Sequence, residues 1–112
     1  MAGAYKILGQ MNPSANVLTT LYTVPAGNSA IISSITIANL DEAANLGGAF
    51  RIAVNTSSAA VSNASYIAYS VNVPSRDTVT LTLGVTLNAG SIVSVNANSS
   101  LLAFSAFGTE VY

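Results

Sequence analysis

The stretch "TVTLTLGVTL", residues 78 to 87, alternates strictly between aliphatic and small or hydroxyl side chains. Val79, Leu81, Leu83, Val85 and Leu87 hold one parity, and Thr78, Thr80, Thr82, Gly84 and Thr86 hold the other. Successive side chains of a strand point to opposite faces, so this pattern places every aliphatic group on one side of a sheet and leaves the threonines on the other. A helix would spread the same residues around its whole circumference. Residues 78–87 are therefore expected to form a half-buried strand, with Gly84 marking a bulge or a close backbone approach.

A half-buried strand needs partners, and the rest of the chain supplies them. Segments 4–10, 17–24, 29–39, 49–54, 65–73, 91–97 and 101–107 are rich in Ile, Val, Tyr, Thr or Phe and are separated by Gly, Pro, Asn or Ser clusters. The one helix-like stretch, "LDEAANLGG" (40–48), offers Asp41 as a cap and Gly47 as a stop, but reads more simply as a loop. About eight short strands without crossover helices predict an all-β chain, a single antiparallel β-sandwich domain over residues 1–112 of jelly-roll-like form. An internal echo links "TVPAGNSAIISSITIAN" (23–39) to "TLNAGSIVSVNAN" (86–98). Both are expected to be hairpins, with Pro25 fixing φ in the first turn and Gly27 or Gly90 adopting a positive φ.

The side-chain inventory narrows the chemistry. Histidine and cysteine are absent, which removes the usual general base, the commonest metal ligand and any disulfide. Charged residues make up 6% of the chain and the formal charge is −1, so no basic patch exists to neutralise phosphates. Asp41 and Glu42 are adjacent, and Asp77 follows Arg76; both pairs read as solvated loop charges. Lys6 with a serine is the remaining route to a nucleophilic dyad, and no local motif supports it. Hydrophobic residues reach 51%, yet Ser, Thr, Asn or Gly interrupts every run before it is long enough to span a membrane. The N-terminal "MAGAYKILGQ" lacks the pattern of a signal peptide, so an intracellularly made, non-membrane protein is expected. The expectation is a protein without catalytic residues, cofactor, metal, nucleic-acid partner, membrane or small-molecule substrate.

What remains is surface. The strands at 29–39 and 78–87 carry no charge, although soluble sheets ordinarily protect their edges with Lys, Glu or Pro. Faces of Thr, Ser and Ala with so little charge suit packing against further copies or a scaffold. Arg51 in "GAFRIAV" shares a face with Ala49 and Ala53, which leave room for its long side chain. It reads either as a solvent-covering arginine or as an inter-subunit anchor. Tyr66 and Tyr69 in "SYIAYSV" have opposite parity, which predicts one in the core and one exposed. The interface residues expected are Tyr5, Arg51, Tyr66, Tyr69 and Phe107, the first and last because both end segments are β-like. Carbohydrate recognition has little compositional support, with no Trp in the chain.

Together "YKILGQ", "LTTLYTVPAGNSAIISSITIANL", "FRIAV", "YIAYSV", "DTVTLTLGVTLNAGSIVSVNA" and "LAFSAFGTEV" resemble small structural proteins of tailed bacteriophages, including phages of cyanobacteria. "LYTVPAG" with the following "ISSITIAN", and the closing "FSAFGTEV", carry most of the similarity. The resemblance implies an all-β virion protein without catalytic residues. It implies a capsid decoration or cement protein on the head surface of the virion, made in the host cytoplasm, a homotrimer that clamps neighbouring subunits of the major capsid protein. The alternative it leaves is a tail, baseplate or fibre component that recognises a host surface. The loop "NLDEAANLGGAF" is longer than in many such proteins and is a place for a contact of its own.

Overall fold

The computed structural model describes residues 3–41, 47–56 and 61–112. Eight strands follow one another: β1 (Gly3–Met11), β2 (Thr19–Thr23), β3 (Ser29–Asn39), β4 (Gly48–Asn55), β5 (Tyr66–Val73), β6 (Thr78–Leu87), β7 (Ile92–Ala97) and β8 (Leu102–Val111). They form two four-stranded sheets, β1-β8-β3-β6 and β2-β7-β4-β5. The antiparallel pairs β1·β8, β2·β7, β3·β6 and β4·β5 nest inside one another like a single long hairpin wrapped over a core. That nesting is a jelly-roll sandwich, as the strand spacing predicted.

The echoed "PAG" and "NAG" segments are not hairpin turns. The segment after β2 passes from one sheet to the other, as does the segment after β6, whereas β4 and β5 are consecutive neighbours in one sheet. A turn signal specifies local backbone geometry and carries no information about which sheet receives the next strand. The geometry itself is as expected: Asn28 N–H donates to Pro25 O and Ser91 N–H to Asn88 O, both at 3.1 Å. Gly27 (φ 81°) and Gly90 (φ 83°) occupy the third position, where a side chain would be strained. Pro25 stands at the first position of the turn, so it does not set φ for the second as expected. "PSRD" repeats the turn with Arg76 at φ 61° in place of glycine, closed by Asp77 N–H to Pro74 O at 3.1 Å. Two of the turns lie side by side, because Val24 N–H donates to Ser91 O (2.9 Å) and Gly90 N–H to Val24 O (3.0 Å).

The alternation in β6 behaves as its sequence dictates. Val79, Leu81, Leu83 and Val85 pack against the core and Leu87 is buried, while the threonines face out. As an edge strand, β6 leaves the first four only partly covered. β8 lies between β1 and β3, and there the same alternation gives full contrast: Leu102, Phe104, Ala106, Gly108 and Glu110 are buried. Phe50 and Phe104 meet edge-to-face across the two sheets at 6.0 Å, in the middle of a core shared with Ile32, Ile35, Ile37 and Ile52.

Register shifts cross the β1-β8-β3-β6 sheet at one level, between Ile7 and Gly9 on β1 and between Ile32 and Ser34 on β3. Against β6, the shift falls between Val85 and Thr82, at the glycine that the sequence marked. Nothing lies within 4 Å of a Cβ placed on Gly84, so it serves a bulge and not a close approach. Close approaches occur instead at Gly108, where a Cβ would stand 2.1 Å from Ile31 O, and at Gly9, where it would stand 2.3 Å from Leu21 O.

Candidate functional site

The outward side of the β2-β7-β4-β5 sheet holds Arg51, Tyr66 and Tyr69 in one cluster. In the β4·β5 ladder Phe50 pairs with Val71 and Ile52 with Ala68, which leaves Arg51 facing both Tyr69 and Ser70. A second extra residue, Ile67, separates Ala68 from Tyr66, which pairs with Ala53. A bulge resets the alternation of a strand, so Tyr66 and Tyr69 fall on the same face, and the expectation of opposite faces is corrected. Their rings meet edge-to-face at 5.0 Å. The Arg51 guanidinium lies 4.0 Å from the Tyr69 ring centroid, and Arg51 Nε donates to Ser70 Oγ at 3.3 Å. Tyr69 is 56% exposed, and neither tyrosine is buried.

Two clefts flank this stack. One, of about 340 Å³, is lined by Asn16, Ala49, Arg51, Ser70, Asn96 and Asn98. The other, of about 410 Å³, is lined by Asn63, Tyr66 and Tyr69. Backbone bonds fix the rim of the first: Asn16 N–H donates to Ala97 O (2.7 Å), Asn98 N–H to Ala49 O (3.0 Å), and Ala49 N–H to Asn98 Oδ1 (2.9 Å). Asn16 (φ 61°) and Ser70 (φ 54°) are both left-handed. That conformation suits asparagine and costs a serine about 1 kcal/mol or more.

Tyr5 and Phe107 lie on the outward side of the other sheet. Tyr5 pairs with Thr109, which pairs with Ile31; Ile7 pairs with Phe107, which pairs with Ser34. Tyr5 (91% exposed), Ile7 (54%) and Ile31 (43%) thus stand around a partly covered Phe107. The expected interface residues therefore separate into two groups on opposite sides of the sandwich.

The charges are placed differently from their sequence reading. Asp41 is buried, accepting from Ser75 Oγ (3.1 Å), while its own N–H donates to Asn39 Oδ1 (3.0 Å). It is an internal acceptor and not a solvated loop charge; Glu42 lies outside the described residues. Arg76 and Asp77 are exposed, as expected. Lys6 forms an ion pair with Glu110 at 2.5 Å, so its amine is engaged by a carboxylate and not by a serine. Tyr22 Oη, from the opposite sheet, donates to Glu110 Oε2 at 2.5 Å. The hydrogen bond from Lys6 and then that from Tyr22 hold the Glu110 carboxyl below its usual range, outweighing the burial that would raise it. Burial first, and the bond and charge of Glu110 second, push the Tyr22 hydroxyl well above the ordinary tyrosine range. Parity in "LAFSAFGTEV" could have found Glu110, since it shares the inward phase of Phe104 and Ala106. No sequence signal brings Asn16, Ser70 and the Asn96/Asn98 pair together, because they come from three separate segments.

No protein-family model matches the chain, and none of the curated proteins does. Two solved structures, each described as a pentameric capsid protein from metagenomic phage sequences, align over 96% of this chain. They do so at 17% identity with a TM-score of 0.38 and at 15% with 0.32. The chain spans 64% and 65% of theirs, under two thirds of their length. Likeness at this level assigns neither family nor function.

Proposed function

We propose that the chain is a non-enzymatic structural protein of a bacteriophage virion, one β-sandwich domain that decorates the head as a cement protein. In this reading it self-associates as a homotrimer, the unit implied by the sequence resemblance, and grips neighbouring subunits of the major capsid protein. The observation that supports it best is the outward side of the β1-β8-β3-β6 sheet. Among the described residues no Asp, Glu, Lys or Arg projects from it, and Tyr5, Ile7, Ile31 and Phe107 stand there in adjacent register. The neighbouring edge strand β6 is uncharged along its whole length.

The magnitudes favour many contacts over one. Full burial of a large apolar side chain contributes ~1.5–3 kcal/mol, so four such groups offset an association cost of ~4–15 kcal/mol only marginally. A closed oligomer seated at several points on a shell makes each later contact intramolecular, and the weak contacts then add.

Light scattering on the purified protein, alone and mixed with empty heads of the same phage, tests the reading. The expected result is a trimer, three times the 11.3 kDa chain mass, that co-sediments with heads. Ile7→Asp is expected to reduce the mass to that of a monomer and abolish capture. A wild-type monomer, or an oligomer that ignores heads, overturns the reading.

A further inference from the structure

We propose that the Arg51 cleft on the opposite sheet is a binding site for a saccharide that carries a carboxylate. This goes beyond the assembly reading, because it uses the face that the assembly leaves outward.

The lining identifies the ligand class. Asn16, Asn96 and Asn98 bring amide groups and Ser70 a hydroxyl to one cleft, a set of mixed donors and acceptors that matches sugar hydroxyls. Among the described residues Ala49 is the one aliphatic side chain lining the Arg51 cleft, and the tyrosine rings lie in the cleft next door, so polar contacts dominate where Arg51 stands. A nucleic acid would need several cations, and Arg51 is the only one lining either cleft among the described residues. Tyr69 carries the Arg51 guanidinium on one side of its ring and, 56% exposed beside Tyr66 in the neighbouring cleft, offers the remaining aromatic surface to a pyranose ring.

Arg51 adds the anion. Its guanidinium is held at two points, by its face on Tyr69 and by Nε on Ser70 Oγ, so its two terminal amino groups are left as a fixed fork. It makes no ion pair among the described residues. A planar fork of this kind accepts a carboxylate end-on through two parallel hydrogen bonds. Ser70 also holds a strained left-handed backbone here, and Asn16, which tolerates that conformation, lines the same cleft. Such conformations cluster at ligand sites.

The test is an NMR titration of the full chain with trigalacturonic acid and its methyl ester, and with 3′-sialyllactose and lactose. At least one acidic sugar is expected to shift the amides of Asn16, Ser70, Asn96 and Asn98 at millimolar concentration. Its neutral counterpart should bind roughly tenfold or more weakly, the scale of one charge-assisted bidentate contact. Arg51→Gln should erase that selectivity, Tyr69→Ala should weaken both members of a pair, and Arg76→Gln, on a distant turn, should change neither. Asn96→Ala gives a second reading of the cleft in case Arg51→Gln perturbs the fold. No shift with either acid, equal binding of acid and neutral sugar, or unchanged selectivity in Arg51→Gln with a native spectrum overturns the proposal. Native mass and head capture are read separately on the same variants, so loss of sugar binding and loss of assembly are distinguishable.

Discussion

The two outward faces of the sandwich are built on the same core by the same alternation, yet they carry opposite kinds of surface. On the β1-β8-β3-β6 side, β8 runs in unbroken alternation and its outward residues are Ala, Ser, Phe, Thr and Val. The result is an uncharged face with Tyr5 and Ile7 standing above it. On the β2-β7-β4-β5 side two bulges in β5 interrupt the alternation and gather two tyrosines, an arginine and a serine at one point. Both sheets carry bulges, so the difference lies in what the bulges bring together: small and apolar groups around the straight β8 on one side, tyrosines, an arginine and a serine on the other.

The largest effect comes from removing what both faces share. Phe104→Ala deletes one ring of the edge-to-face pair with Phe50 and should cost about 3–5 kcal/mol in urea unfolding. Native mass and cleft chemical shifts should collapse in step. If one face survives, the two are not borne by a common core.

The polar link between the sheets comes next. Glu110 is bound by Lys6 and Tyr22, and Glu110→Gln should cost about 1–3 kcal/mol near neutral pH by removing charge-assisted partners. Its folded pKa is depressed, so its contribution is present above the ordinary carboxylate pKa and is lost as pH falls through the lower folded value. Wild type should therefore lose urea stability on acidification below about pH 4.3, and Glu110→Gln should lack that limb. Tyr22 has the opposite sign: its folded pKa is raised, so its contribution is intact below about pH 10 and declines as pH rises beyond that. Tyr22→Phe should flatten the alkaline limb.

The three inter-sheet turns separate local strain from packing. Gly27→Ala meets no atom within 4 Å, so its cost of about 1 kcal/mol should come from backbone conformation alone. Arg76→Gly relieves the same conformation at the third turn and should shift stability by a few tenths of a kcal/mol at most, since glycine gains entropy in the unfolded chain. Equal thermal shifts of the same sign in both would contradict the shared geometry.

The smallest effects on stability sharpen the comparison most. Ile7→Asp and Tyr69→Ala, both at exposed positions, should each change unfolding free energy by no more than about 0.5–1 kcal/mol. The first should alter native mass and leave the cleft spectrum intact; the second should do the reverse. If Tyr69→Ala dissociates the oligomer, the assignments of the two faces are exchanged.

Much of this protein was legible in its residues. Alternation in 78–87, and β-forming segments separated by turn residues elsewhere, located eight strands and the aliphatic side of β6, because side-chain period and turn chemistry are local properties of the backbone. The same logic placed Arg51 on one sheet face with Ala49 and Ala53, and singled out Gly84 as a bulge or a close approach, of which the structure shows the bulge. Tertiary structure decided the rest. Whether "PAG" folds a strand back beside its predecessor or sends it to the other sheet depends on which partner edge is free, and no local signal records that. Tyr66 and Tyr69 share a face because β4 demands a register that their own spacing does not reveal. Asp41 and Glu110 became internal acceptors because residues 34 and 88 positions away supply their donors, and a charge's environment is set by whatever the fold brings to it.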